Sequence, residues 1–169
     1  MIAEGAAVYF GMENIAQSDH LPLEIFCASF LQANSLPSIS SSQTTYLGHI
    51  NDLQNYYAAG CFIKYLIDTY GVGAIKLVYH NGDFSGVYGK DLSALETDWR
   101  LHLETIEIPE TLNPMDLVGA VNDLEDSYTS FFVSFTGNPA QMEAYRYLDK
   151  ARIALLEGRI PEMREFLNH

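Results

Sequence analysis

Apolar positions recur with the period of an α-helix along most of the chain, and glycine or proline separates the successive segments. Segment 51–70 is apolar nearly all round, which predicts a helix at the centre of the core. The hydroxyl-rich segment 36–45 lacks helical period and is predicted to be an extended loop over the surface or across a cleft. The alternatives to this pattern are strands at the same segment and at residues 130–135. The chain is therefore predicted to be mainly α, with helices over residues 2–10, 20–33, 51–70, 74–79, 93–108, 114–135, 139–157 and 161–167.

Local signals predict where several of these helices begin and end. Gly11 is expected to stop the first helix, and segment 81–89, rich in glycine and polar residues, is expected to be a loop. Ser93 and Glu96 have the spacing of a capping box, which predicts that a helix begins at Ser93 and runs to Pro109.

The pattern changes after residue 108. Two long helical segments follow, separated by Gly137, Asn138 and Pro139, and a short third segment closes the chain. Residues 1–108 are therefore predicted to form one helical unit, and residues 109–169 an antiparallel helical hairpin with a short terminal helix.

The charge balance restricts the partners of the protein. The 169 residues include 22 Asp and Glu against 9 Lys and Arg, a formal net charge of -13. Clustered cations are what nucleic acid and anionic membrane surfaces require, so neither is expected as a partner. No segment has the roughly 20 apolar residues of a membrane-spanning helix, and residues 1–10 lack the basic leader of a signal peptide. A soluble protein is expected, and a cytoplasmic one if Met1 is the natural start.

The two cysteines, Cys27 and Cys61, are each predicted to lie on the apolar face of a helix. Two buried free thiols are favoured over a disulfide, because cysteine often behaves as a small apolar core residue. This interpretation suits a reducing compartment.

No complete active-site motif is present. The five histidines are scattered, and no pair has the His-Glu-x-x-His spacing that presents two imidazoles to one zinc ion. Asp98 and His102 are four residues apart on a predicted helix, where a surface ion pair is expected rather than a metal site.

Four segments, in order, resemble gluzincin-type zinc metallopeptidases of the peptidase MA-like group. Glu4 to Tyr9 resembles that family's Trp-x-x-Glu-Gly-x-Ala-x-Tyr segment, and Leu36 to Ile39 a short segment near its active-site cleft. Tyr56 to Gly71 resembles the family's tyrosine-containing helix that ends in Tyr-Leu-Ile-x-x-Tyr-Gly. Leu92 to Leu103 resembles the Leu-Glu-x-x-Trp-x-x-x-Leu helix that closes the domain. The resemblance implies that residues 1–108 are the C-terminal helical subdomain of a gluzincin-like metallopeptidase.

The resemblance implies roles for a few residues. Glu4 would be the third zinc ligand, and Tyr56, with Tyr57 as its rival, would donate its phenol proton to a scissile carbonyl. A core tyrosine is the alternative for both, and Trp99 is expected in the core. The His-Glu-x-x-His helix is absent, so the chain would be the C-terminal portion, or a degenerate relative, of an enzyme that hydrolyses peptide or protein substrates with zinc-bound water. By itself it is expected to hold no zinc tightly and to have no activity.

A second hypothesis comes from a different class of protein. The chain would be a non-catalytic α-helical interaction module that docks through an exposed apolar surface. A homo-oligomer formed through that surface is an alternative to a foreign partner.

Overall fold

The computed structural model describes residues 2–14, 20–40, 53–136 and 139–169. These ranges contain nine helices and no strand, so the prediction of a mainly α protein is confirmed. The helices are α1 (Ile2–Asn14), α2 (Leu23–Gln32), α3 (Leu53–Tyr70), α4 (Val72–Asn81), α5 (Phe84–Tyr88), α6 (Leu92–Leu103), α7 (Pro114–Ser134), α8 (Pro139–Leu156) and α9 (Ile160–Leu167).

Several predicted boundaries are wrong. The first helix continues past Gly11 to Asn14, because glycine inside a helix costs at most about 1 kcal/mol and does not by itself end it. The expected loop 81–89 contains α5, which begins where the Asp83 side chain accepts a hydrogen bond from the Gly86 amide at 2.8 Å. Residues 130–134 form the last turns of α7, so the predicted helix 114–135 is confirmed and the strand alternative is wrong. Segment 36–40 contains neither helix nor strand, in agreement with the predicted loop, and residues 41–45 lie outside the described ranges.

The expected capping box at Ser93 is replaced by a different cap. Asp91 precedes α6, and its carboxylate accepts a hydrogen bond from the Ala94 amide at 2.8 Å. Glu96 is consequently not needed at the helix terminus, and its side chain turns toward segment 36–40 instead. The helix also ends at Leu103, well before Pro109.

Helix α3 lies at the centre of the core, as its apolar pattern predicts. It contacts α1, α2, α4, α6 and α7, and Phe62, Ile63 and Leu66 are fully buried along it. The buried indole of Trp99 from α6 meets the Phe62 ring edge-on, with 5.5 Å between centroids. The expectation that Trp99 belongs to the core is confirmed.

Two glycines let α1 lie directly on α3. A Cβ atom added to Gly5 would lie 2.5 Å from the Ala59 carbonyl oxygen, and one added to Gly60 would lie 2.6 Å from Cγ1 of Val8. Both distances are shorter than a carbon atom tolerates, so only glycine permits this approach. The helix that carries Glu4 is thereby held against the helix that carries Tyr56.

Cys27 and Cys61 form a disulfide, so the prediction of two free thiols is wrong. Both residues are buried, on α2 and α3, with Cα atoms 6.6 Å apart. The positions are apolar, as expected, but the two helix faces meet at these residues and bring the sulfur atoms together. Lys64 of α3 also pairs with Glu24 of α2 at 2.9 Å, beside the same contact.

The C-terminal helices pack on the same hydrophobic core. Helix α7 contacts α2 and α3 as well as α8 and α9, and its residues Leu117, Val121 and Leu124 are buried. The Glu125 carboxylate of α7 accepts a hydrogen bond from the first amide of α3, at Leu53, over 3.1 Å. The hairpin is therefore attached to the N-terminal helices by apolar packing and by a cap on the central helix.

Among the helices that the structure describes, none is both long enough and apolar enough to cross a membrane.

Candidate functional site

Glu4 lies in the first turn of α1 and is half-buried. Zinc sites in proteins use three or four ligands held close together. Within the described residues, no group of three His, Cys, Asp or Glu side chains is arranged to hold a metal ion. The described residues alone therefore do not fit zinc, and the role of Glu4 as a ligand stays a prediction.

The two candidate tyrosines have different surroundings. Tyr57 is buried, and its ring stacks on Phe26 with 4.9 Å between centroids. Burial raises the pKa of Tyr57 to about 12 although the positive charge of Arg152 opposes the shift, so its phenol stays protonated at neutral pH. Tyr56, on the preceding position of α3, is half-buried. A catalytic role for either tyrosine stays a prediction.

The expected ion pair between Asp98 and His102 is wrong. Asp98 pairs instead with Lys90, which approaches from the turn before α6 at 2.6 Å. The His102 ring packs against Tyr65, with 5.4 Å between centroids. Among the described residues, Asp98 and His102 therefore form no ion pair with each other.

Glu96 is a buried carboxylate that ties segment 36–40 to α6. Its Oε2 accepts hydrogen bonds from the Ser40 amide at 2.9 Å and the Ser38 hydroxyl at 3.2 Å, and Arg100 donates to its Oε1 at 3.1 Å. Arg100 also donates to the Leu36 and Pro37 carbonyl oxygens. Burial raises the pKa of Glu96, but the hydrogen bonds from Ser40 and Arg100 together lower it by more than burial raises it. The net shift of the pKa is therefore downward. Every partner in this cluster belongs to the fold, so the cluster is structural.

Five of the eleven large apolar side chains that are exposed among the described residues lie where α7 ends and α8 begins. We call this surface the hairpin tip and define it by these five side chains, whose exposed fractions run from 43% to 86%. They are Phe132 (56%), Val133 (86%), Phe135 (44%), Met142 (50%) and Tyr145 (43%).

The sequence of α7 makes this exposure unavoidable. Four of the five residues from Phe131 to Phe135 are apolar, and on a helix such a run faces in every direction. Helix α8 can cover only one side of it, so Phe131 turns inward to Tyr145, with 5.7 Å between centroids. Phe132 and Val133 then face outward. The sequence already indicated an exposed apolar surface here, because one neighbouring helix cannot easily bury an apolar run that lacks helical period.

The hairpin tip is held in shape by ring contacts and by one glutamine. The Phe131 ring lies between 5.2 and 5.7 Å from the rings of Phe132, Phe135 and Tyr145. The Gln141 side chain accepts a hydrogen bond from the Thr136 amide at 2.7 Å and donates one to the Ser134 carbonyl oxygen at 2.6 Å. A surface that is ordered in advance loses little conformational entropy when it binds.

The charge of the hairpin tip differs from that of the whole chain. Segment 127–146 contains one acidic residue, Glu143, and one basic residue, Arg146, so its net charge is zero against -13 for the protein. Both are exposed on α8, and neither forms an ion pair with another described residue. The tip is thus an apolar patch with one charge of each sign beside it.

A cavity of about 340 Å³ opens farther along the same hairpin, between α7, α8 and α9. Tyr147 and Phe166 contribute to its lining, and the Lys150 ammonium lies over both rings, 4.9 and 5.7 Å from their centroids. These aromatic faces are already used by a cation of the chain itself. The hairpin tip therefore remains the stronger candidate for a binding surface.

Comparison of this chain with protein-family models, with curated proteins and with solved structures finds no match. The functional argument therefore rests on the contacts, exposure and charges of the described residues.

Proposed function

We propose that the chain is a non-catalytic helical interaction module that docks through the hairpin tip. The observation that supports this function is the exposure of large apolar side chains at the tip, with Val133 86% and Phe132 56% exposed. Exposed apolar side chains grouped in one region of a folded surface are often part of a protein interaction site.

The size of the patch is adequate for binding. Its five side chains expose on the order of 500 Å² of surface, given the areas that such side chains bury when covered. At about 25 cal/mol for each Å², covering them gains on the order of 10 kcal/mol before the cost of association is subtracted. The loss of translational and rotational freedom alone costs about 4–15 kcal/mol, which is comparable with this gain. Because the tip is held in shape, the additional conformational cost is small, and a weak affinity is expected.

A displayed library of random peptides tests the docking function. Peptides selected on the wild-type chain are expected to lose at least about tenfold in affinity for a Phe132→Ser, Val133→Ser double variant, which removes apolar area worth about 1.4 kcal/mol or more. The control is a Leu77→Ser, Leu101→Ser double variant, because these side chains are 59% and 56% exposed outside the tip. Peptides that bind the tip variant as tightly as the wild type would contradict the proposal.

A second candidate function is the one that the family resemblance implies, the C-terminal part or a degenerate relative of a zinc peptidase. The observation in its favour is the close crossing of α1 and α3 at Gly5 and Gly60, which holds the Glu4-bearing helix on the Tyr56-bearing helix. In this candidate the chain contributes one carboxylate and one phenol, and the remaining ligands and the general base come from residues outside this sequence.

Metal analysis tests this second candidate. This chain alone is expected to purify without stoichiometric zinc, and one equivalent of tightly held zinc would show that expectation to be wrong. In a longer form with a His-Glu-x-x-His helix upstream, Glu4→Gln is expected to lower the zinc content, whereas Glu24→Gln serves as the control. Unchanged zinc in the Glu4→Gln variant would exclude the candidate.

A further inference from the structure

We infer that the occupant of the hairpin tip is a second copy of this chain, bound about a two-fold axis. The inference rests on the proposed docking function and names its partner. In a two-fold contact the same patch is used by both copies, so the patch must be complementary to itself.

The charge distribution favours the tip as the place where two copies meet. Each copy carries a formal charge of -13, which opposes the approach of most of its surface to another copy. Segment 127–146 has no net charge, so contact between two tips involves little electrostatic repulsion. The acidic segments of each copy then lie outside the interface.

The two charges beside the tip make the patch complementary to itself. Met142 and Tyr145 are three residues apart on α8 and form one row, and Glu143 and Arg146 form the adjacent row. When two such helices cross antiparallel about a two-fold axis, Glu143 of one copy faces Arg146 of the other, and the reverse pair forms as well. Neither charge has an ion-pair partner among the described residues, so both are available for this contact.

The area agrees with a weak but specific dimer. Two tips of on the order of 500 Å² each would bury about 1,000 Å² in total, near the lower limit for specific interfaces. Interfaces at this lower limit belong to weak or transient complexes, so we expect a dissociation constant in the micromolar range or weaker. The dimer is therefore expected to form at concentrations that sedimentation measurements can cover.

Sedimentation equilibrium on charge variants tests the inference. The wild type is expected to show a monomer–dimer equilibrium. Glu143→Arg and Arg146→Glu each create like charges across the axis and are expected to weaken the dimer about tenfold. An equimolar mixture of the two variants restores both opposite-charge pairs and is expected to dimerise like the wild type. Leu77→Ser, outside the tip, is the control and should leave the equilibrium unchanged.

The possible results separate this inference from the proposed function. A wild type that stays monomeric from the micromolar into the millimolar range, or a variant mixture that does not recover dimerisation, overturns the two-fold dimer. If peptides that need Phe132 and Val133 are still selected in that case, docking through the tip stands and the partner is a different protein. A dimer that Phe132→Ser, Val133→Ser leaves intact overturns the inference as well.

Discussion

Glu96 is a single carboxylate that fixes the position of a whole segment. It is 6% exposed, and it accepts hydrogen bonds from Ser38, Ser40 and Arg100. A buried charge of this kind is stable only while its partners are in place. The direction of its pKa shift, below the ordinary value, indicates that the folded state favours the charged form.

Replacing Glu96 by Gln is expected to lower the free energy of unfolding at pH 7 by about 1–3 kcal/mol, because Arg100 and Ser40 lose a charged acceptor. Since the pKa is lowered in the folded state, the stabilisation is complete above the unfolded pKa of about 4.3 and is lost as the pH falls through the folded pKa. Urea unfolding between about pH 7 and pH 3 should therefore show a steeper acid loss in the wild type than in the variant.

Asp98→Asn is the matched control for Glu96→Gln, since Asp98 lies on the same helix but forms an exposed pair with Lys90. It is expected to leave the unfolding curve nearly unchanged. Equal acid dependence in the wild type and the Glu96→Gln variant would contradict the assigned role.

At the residue scale, the sequence indicated that polar residues near Ser93 cap a helix, but it did not indicate which residue forms the cap. Ser93 and Glu96 have capping-box spacing, but Asp91, two residues earlier, supplies the cap. Glu96 is then available to bind Arg100 and segment 36–40. The competition between two caps depends on where the chain enters the helix. That direction is set by tertiary contacts, which spacing alone does not contain.

At the scale of helices, the crossing of α1 on α3 depends on two glycines. A Gly5→Ala substitution would place a Cβ 2.5 Å from the Ala59 carbonyl oxygen, so the two helices would have to move apart. The expected cost is about 1–3 kcal/mol of unfolding free energy, in the range of overpacked cores. Thermal unfolding followed by circular dichroism measures it.

Gly11→Ala is the control on the same helix, because a Cβ at Gly11 meets nothing within 4 Å. Alanine is the better helix former, so this variant is expected to be neutral or up to about 1 kcal/mol more stable. If the two variants have the same stability, the helices are not held as closely as described.

The helices themselves could be predicted, but their neighbours could not. Periodicity located the apolar faces that carry Cys27 and Cys61, yet it contains no information on which faces meet. Free thiols and a disulfide are equally compatible with those faces, and only the packing of α2 on α3 decides between them. The extent of exposure at the hairpin tip could not be predicted for the same reason, because it depends on how much of Phe131 to Phe135 the neighbouring helix covers.

At the scale of the whole molecule, one hydrophobic core connects the N-terminal helices with the hairpin. Trp99, the single tryptophan of the chain, lies on α6 outside the hairpin and is buried beside Phe62. Leu124 of α7 is buried in the same core. The fluorescence of Trp99 can therefore report the effect of a destabilising substitution in the hairpin.

A Leu124→Ala substitution is expected to lower the unfolding free energy reported by Trp99 by about 2–5 kcal/mol, since it leaves a cavity in the shared core. Val133→Ala, on the same helix but 86% exposed, should change it by less than about 0.5 kcal/mol. If residues 1–108 and 109–169 unfold independently, Leu124→Ala will leave the Trp99 transition where it is.

The disulfide between Cys27 and Cys61 also has a covalent consequence. With a sequence separation of 34, it closes residues 27–61 into a ring that includes the whole connection from α2 to α3. A protease that cuts one peptide bond inside this ring opens it without releasing a fragment. The nicked chain keeps its mass near 18.9 kDa on a non-reducing gel and separates into two pieces only after a reductant is added.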